Sequence, residues 1–228
     1  MQSANWKLQK LKFLKHLLFD FHFAVFILQF AIFSGCASAK KPTALTPIPI
    51  SLPGYSTAGQ TIAFHNKDIK ISIYPLSASE IKELLTMKEP NNPLTEILGS
   101  PKYLIFSMEI ENLSNAKILY NPALTTLFDN SMGLHKPMDY TDLYSIFSNS
   151  PNPETALKNF KDMLYDLGVT IGPGQRVSRL LIFSGIEEES NEFTIEMKEV
   201  YIGTSTISAS FSFKETKEPS IVYPSPRP

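Results

Sequence analysis

Few side chains in this chain of 228 residues are placed to do chemistry, and they are scattered. Cys36 is the one cysteine, which excludes a disulfide framework, a CxxC redox pair and a cysteine-rich zinc site. His65 and His135 are the only histidines that follow it, and neither belongs to a close-spaced pair such as HxxxH that would begin a zinc site. His65-Asn66-Lys67-Asp68 reads as a polar turn between two short strands. Asp129-Asn130-Ser131-Met132-Gly133 places oxygen-bearing side chains ahead of a glycine. The alternating acids and closing bidentate glutamate of a calcium loop are missing, however, and a β-turn with Asp at its first position explains the same residues. Gly172-Pro173-Gly174-Gln175-Arg176 is glycine-rich but leads into a strand and lacks the Lys-Ser/Thr of a phosphate-binding loop. No serine lies in G-x-S-x-G, and Ser184-Gly185 ends a strand without the helix a nucleophile elbow requires. Glu187-Glu188-Glu189 reads as a solvated loop. These residues predict no catalytic residue, no metal site and no cofactor.

The surroundings of Cys36 are more distinctive. Lys7, Lys10, Lys12 and Lys15 form a positive segment of the kind retained on the cytoplasmic side of a membrane. Residues 21–33 are apolar apart from His22 and Gln29, and about 13 residues of helix rise roughly 20 Å, short of a comfortable span. That length suits the apolar region of a signal peptide, with the small Ser34 and Gly35 leaving the backbone open to a peptidase. The stretch Phe33-Ser34-Gly35-Cys36 after such a run resembles a bacterial lipoprotein signal peptide. The resemblance implies that the Cys36 thiol receives diacylglycerol, that residues 1–35 are removed and that the freed amine is acylated. Phe33 departs from the family's preferred Leu, and Asp20 is unusual at the edge of the apolar run. Two other arrangements fit the same residues. One is an uncleaved anchor, since extending the run to Leu17 gives about 17 residues, the lower limit for a span. The other is a core helix with an inert cysteine. Ala37, in place of Asp, implies by the same resemblance the periplasmic face of the outer membrane where the envelope has one.

Without the four lysines and Asp20 of the signal, 17 basic and 21 acidic residues remain, a net charge of −4. No basic stripe with interleaved aromatics is present, so a nucleic-acid partner is not expected. Residues 36–60, with Pro42, Pro47, Pro49, Pro53 and Gly54, read as a proline-rich tether. Residues 214–228, ending in Pro219, Pro224, Pro226 and Pro228, read as a disordered tail. Residues 61–213 between them, roughly 150 in number, suit one domain with its own core.

Strand patterns dominate that domain. Leu104, Phe106, Met108 and Ile110 alternate with their neighbours, as do Ile69, Ile71 and Ile73, at the period of a sheet with one buried face. Phe193 to Met197 and Ile207 to Phe213 repeat the pattern on either side of Gly203-Thr204-Ser205, which predicts a hairpin. Val177 to Phe183 is more continuously apolar, interrupted only by Ser178 and Arg179, and reads as a central strand. Two helices are predicted. Ser77 and Glu80 have capping-box spacing and Leu76 and Ile81 that of a hydrophobic staple. Asn152 and Pro153 open the second, whose apolar face runs through Leu157, Phe160, Met163, Leu164 and Leu167 until Gly168. A shorter helical turn is expected around Tyr140 to Phe147, with Asp139 and Asp142 able to cap it.

Many short strands predict a mainly β fold, a β-sandwich with helical insertions, with an α+β fold as the alternative. Asn112-Leu113-Ser114 at a strand end and Pro173-Gly174-Gln175 before a late strand resemble features of immunoglobulin-like extracytoplasmic domains in bacterial lipoproteins of unassigned function. The resemblance covers residues 61–213, and residues 139–167 form a helical insertion that a plain sandwich lacks. If that insertion packs beside the sandwich, Tyr140, Leu143, Tyr144, Phe147 and Phe160 would line a groove for a ligand or partner. The expected function is therefore a non-enzymatic interaction or assembly module, held on the membrane through lipidated Cys36 and meeting an envelope protein. A binding protein for a small hydrophobic ligand or peptide is the alternative.

Overall fold

The computed structural model describes residues 43–88, 94–148, 153–187 and 189–217, so Cys36, the segment before it and the proposed cap Asn152 lie outside the described residues. In chain order the first strands are β1 (Thr43–Pro47), β2 (Tyr55–Ala58), β3 (Thr61–His65), β4 (Ile69–Pro75) and β5 (Tyr103–Asn112). They are followed by β6 (Ile118–Tyr120), β7 (Thr125–Asp129), β8 (Leu134–His135), β9 (Val169–Ile171), β10 (Arg176–Ser184), β11 (Glu192–Ile202) and β12 (Ser205–Lys217). Among the described residues the helices α1 (Ala78–Lys88), α2 (Leu94–Leu98), α3 (Tyr140–Phe147) and α4 (Pro153–Lys161) interrupt them.

The strands form two antiparallel sheets. One runs β10-β5-β4-β3-β2, and the other β1-β12-β11-β6-β9, with β7 on β11 and β8 on β7. Their alternation makes the sandwich. Ile69, Ile71, Ile73, Phe106, Met108 and Ile110 from one sheet meet Phe193, Ile195, Met197, Phe211 and Phe213 from the other, and all are essentially buried. The predicted hairpin forms with Ile202 opposite Ser205, which leaves the two-residue loop Gly203-Thr204. A bulge in β11 at Lys198 and Glu199 resets the alternation, so that Val200 and Ile202 return to the core.

The chain is mainly β, a β-sandwich with helical insertions as its patterning predicts, but four local expectations change. First, the proline-rich stretch is not all tether. β1 pairs along its whole length with Phe213–Lys217, and Tyr55 in β2 packs on Phe64 and Phe211 while its hydroxyl accepts from the Ser210 amide at 3.0 Å. Proline is compatible with an edge strand, where its missing N–H faces away from the ladder, and Pro47 ends β1 in that position. Second, the predicted tail begins too early, because Lys214 to Lys217 complete β12. The sheet-forming region is therefore 43–217.

Third, β10 is an edge strand, not a central one. Leu181 and Phe183 face the sandwich core, while Leu180 and Ile182 face a second core made with Ile81, Leu85, Leu94, Leu143, Phe147, Leu157 and Phe160 from the helices. Burial on both faces makes Leu180 to Phe183 continuously apolar, as a central strand's residues would be. The exposed ladder is covered instead: Leu180 N donates to Met163 O at 2.7 Å, Tyr165 N to Leu180 O at 3.0 Å and Met138 N to Ile182 O at 2.8 Å. Fourth, the same contacts shorten the second predicted helix. α4 stops at Lys161 because Met163 and Leu164 leave helical geometry to reach β10, and Leu167, expected on the buried face, is exposed.

The other predicted caps are in place. Ser77 N donates to Glu80 at 2.8 Å and Glu80 N to the Ser77 hydroxyl at 3.3 Å, closing the box ahead of α1. Tyr74 also hydrogen-bonds Glu80, and this contact pushes the phenol up to about 12. Asp139 and Asp142 form a reciprocal box at the start of α3, with 2.8 and 3.1 Å bonds.

Candidate functional site

Polar chemistry in the described residues gathers at the two opposite ends of the sandwich. At one end β5 turns into β6. Asn112 is fully buried, and its amide nitrogen donates to Ala116 O at 2.7 Å and Ile171 O at 2.9 Å. Its amide oxygen accepts from the Ser114 amide at 2.9 Å and the Ser114 hydroxyl at 2.8 Å. The backbone of Asn112 also donates to Gln175 O and accepts from Gly174 N, both at 2.9 Å. The Asn112-Leu113-Ser114 and Pro173-Gly174-Gln175 segments are thus halves of one knot. Every polar atom of the Asn112 side chain is satisfied, which is what burial of an amide demands.

At the other end β7 turns into β8. Asp129 Oδ1 accepts from Ser131 N at 2.9 Å and Gly133 N at 2.7 Å, which is the Asp-first turn expected from sequence. The rest was not foreseen. His135 Nε2 lies 2.9 Å from Asp129 Oδ2, and its Nδ1 lies 3.1 Å from Ser184 O across in the other sheet. Ser131 Oγ and Ser190 Oγ are 2.8 Å apart, and the Asn130 and Asn191 side chains join at 2.9 Å. Burial pushes the Asp129 carboxyl up, but the bonds from His135, Gly133, Ser131 and Ser190 outweigh it and hold the group below its ordinary value. The hairpin register carries this pairing: Leu127 pairs with His135, so residues 129 and 135 lie at the top of adjacent strands. That register depends on loop length, and reading the histidine and the turn separately concealed it.

An aspartate, a histidine and a buried serine have the composition of a nucleophilic triad, but not its geometry. The second ring nitrogen of His135 faces a backbone carbonyl instead of a hydroxyl, so no serine is placed for the imidazole to deprotonate. Both ring nitrogens meet acceptors, and the ring serves to tie the β7–β8 turn to the end of β10. His65 stands exposed at the end of β3, beside a turn in which Asn66 Oδ1 accepts from Asp68 N and Ile69 N at 2.8 and 3.0 Å. No three His, Cys, Asp or Glu side chains among the described residues converge as metal ligands would.

The proposed groove does not open as expected. Leu143 and Phe147 are 0% exposed and Phe160 2%, because they fill the second core against Leu180 and Ile182. Of the five, Tyr144 is exposed and Tyr140 is half-buried against the second core; their rings stack with centroids 6.5 Å apart, and Lys161 Nζ lies 5.3 Å from the Tyr140 ring. On the outer face of the same sheet Arg176 bridges Glu109 and Glu111 at 3.5 and 3.1 Å, an exposed cluster of small energetic weight.

No family model matches the chain, and no curated protein does. Among solved structures it is similar to the yjhA protein from Bacillus subtilis, at 12% identity, covering 65% of this chain and 93% of that one with a TM-score of 0.35.

Proposed function

We propose that this chain is a cell-envelope lipoprotein, anchored through acylated Cys36, whose β-sandwich serves as a non-enzymatic interaction or assembly module. The arrangement of basic segment, apolar run and Ser34-Gly35-Cys36 carries this reading. Two or more acyl chains on one residue suffice for stable anchoring, whereas one is marginal. The geometry of His135 supports a non-catalytic role, since its second nitrogen is spent on holding a turn. A groove-based ligand site loses support because three of its five lining residues are core.

Anchoring at Cys36 also sets the reach of the domain. Only residues 37–42 separate the cysteine from β1, and seven steps of about 3.6 Å allow at most roughly 25 Å. The domain is held close to the bilayer, not on a long stalk. Crosslinking in intact envelopes tests the module: a discrete adduct with one envelope protein is expected. Recovery of the uncrosslinked chain alone, at every crosslinker length, would count against it.

A further inference from the structure

β1 and β12 are antiparallel, with Thr43 opposite Lys217, so the anchor-proximal start of β1 lies at the end of the sandwich where β12 finishes. β11 begins there too, with Glu192 opposite Lys214. Asn130 N donates to Glu192 O at 3.1 Å, which places the β7–β8 turn at that same end. The turn carries apolar side chains where polar ones would be expected. Met132 is 96% exposed at its tip and Leu134 59% exposed behind it, with Phe128 directly across from Leu134. Met132 also occupies φ +66, a backbone conformation that costs a side chain and suits glycine. The turn is nonetheless held stiff by Asp129, by His135 and by the Ser131–Ser190 and Asn130–Asn191 contacts. Backbone strain held by surrounding hydrogen bonds at an exposed apolar tip points to a use for that side chain.

We propose that this hairpin tip docks on the lipid bilayer, with Met132 and Leu134 seated among the headgroups and upper acyl chains, and so fixes which end of the anchored domain faces the membrane. The proposal rests on the anchoring at Cys36, because the short linker is what brings this end to the surface. Glu187, Glu189 and Glu192 belong to the segment that the turn's hydrogen bonds reach, and Lys214 and Lys217 at the same end do not outnumber them, so contact is apolar and needs no anionic lipid. The opposite end has its own exposed pair, Leu119 across from Tyr201, but lies a strand length farther from the start of β1.

Tryptophan fluorescence tests this. The full chain, with Trp6→Phe to remove its native indole, is coupled through Cys36 to phosphatidylcholine vesicles bearing a maleimide lipid, so attachment does not depend on processing in a cell. Met132→Trp and, as a second reporter in a strand, Leu134→Trp should emit at shorter wavelength on vesicles than in buffer and be quenched by brominated acyl chains. Thr204→Trp, at the opposite end, should do neither. Adding phosphatidylglycerol should change little. Equal, water-like emission from all three variants overturns the docking proposal, as does a blue shift of Thr204→Trp in place of Met132→Trp. Fatty-acid incorporation by the cell-made protein is scored separately. Cellular labelling together with water-like emission from Met132→Trp keeps the anchor and removes the docking; a bilayer-embedded indole in Met132→Trp without cellular labelling does the reverse.

Discussion

The two ends of the sandwich close their strands by opposite means. Around Asn112 the turns use neutral hydrogen bonds and glycine: the amide makes four bonds, and Gly174 and Gly203 take φ +69 and +60 where a side chain would be strained. Around Asp129 the turn uses a carboxylate and an imidazole, and a methionine occupies the left-handed position at φ +66. Left-handed backbone also occurs at Gly185 (φ +73), beside His135, and at Glu199 (φ +55), in the β11 bulge, but among the described residues Met132 is the non-glycine that holds it at the tip of an exposed turn. A turn that keeps a strained, exposed apolar residue has another use for that residue, and the difference separates the structural end of the domain from its candidate contact end.

Stability measurements sharpen this contrast. The largest effect is expected for Asn112→Ala, which takes the side-chain amide from the Ile171 carbonyl and the Ser114 amide and leaves the Ala116 carbonyl with the Ser114 hydroxyl at 3.0 Å. A loss of about 3 kcal/mol follows, or a Tm lower by about 6–12 °C in a domain of this size. Because no titrating group is involved, urea unfolding should show the same loss at acidic and neutral pH. Asp129→Asn should cost about 2 kcal/mol at neutral pH, as expected for hydrogen bonds to a charged group. Here the cost depends on pH. The carboxyl titrates lower in the folded chain than in the unfolded one, so its contribution is complete above the ordinary aspartate value of about 4 and is lost as pH falls through the folded value. Wild type and Asp129→Asn should therefore converge in acid. A gap that persists there would contradict the charged reading of this end.

Smaller effects concern one left-handed position at each end, Gly203 and Met132. Gly203→Ala should lose about 1–2 kcal/mol, from a strained φ and a Cβ placed 3.3 Å from that of Ala116. Met132→Gly should do the opposite and gain up to about 1 kcal/mol by relieving the same strain. Thermal melts of the pair would show one end already optimised and the other not. If Met132→Gly is destabilising, the methionine serves packing, and the contrast between the ends fails.

Much of this was legible in the residues because it is local. The alternation through Ile69–Ile73 and Leu104–Ile110, the capping boxes of Ser77 and Asp139 and the Gly203 turn each depend on neighbours in sequence. What escaped depended on distant partners. β10 reads as a central strand because helices cover its outer face, and α4 is shortened because β10 needs partners for its edge. The proline count around Pro47 indicates a tether until β12 supplies a strand to pair with. The Asp129–His135 contact follows from hairpin register, and the burial of Leu143, Phe147 and Phe160 from how α3 and α4 pack on β10.

All functional conclusions depend on Cys36, and metabolic labelling with a clickable fatty acid tests it most directly. Wild-type chain should incorporate the label and Cys36→Ala should not. Label retained by Cys36→Ala would contradict the anchor.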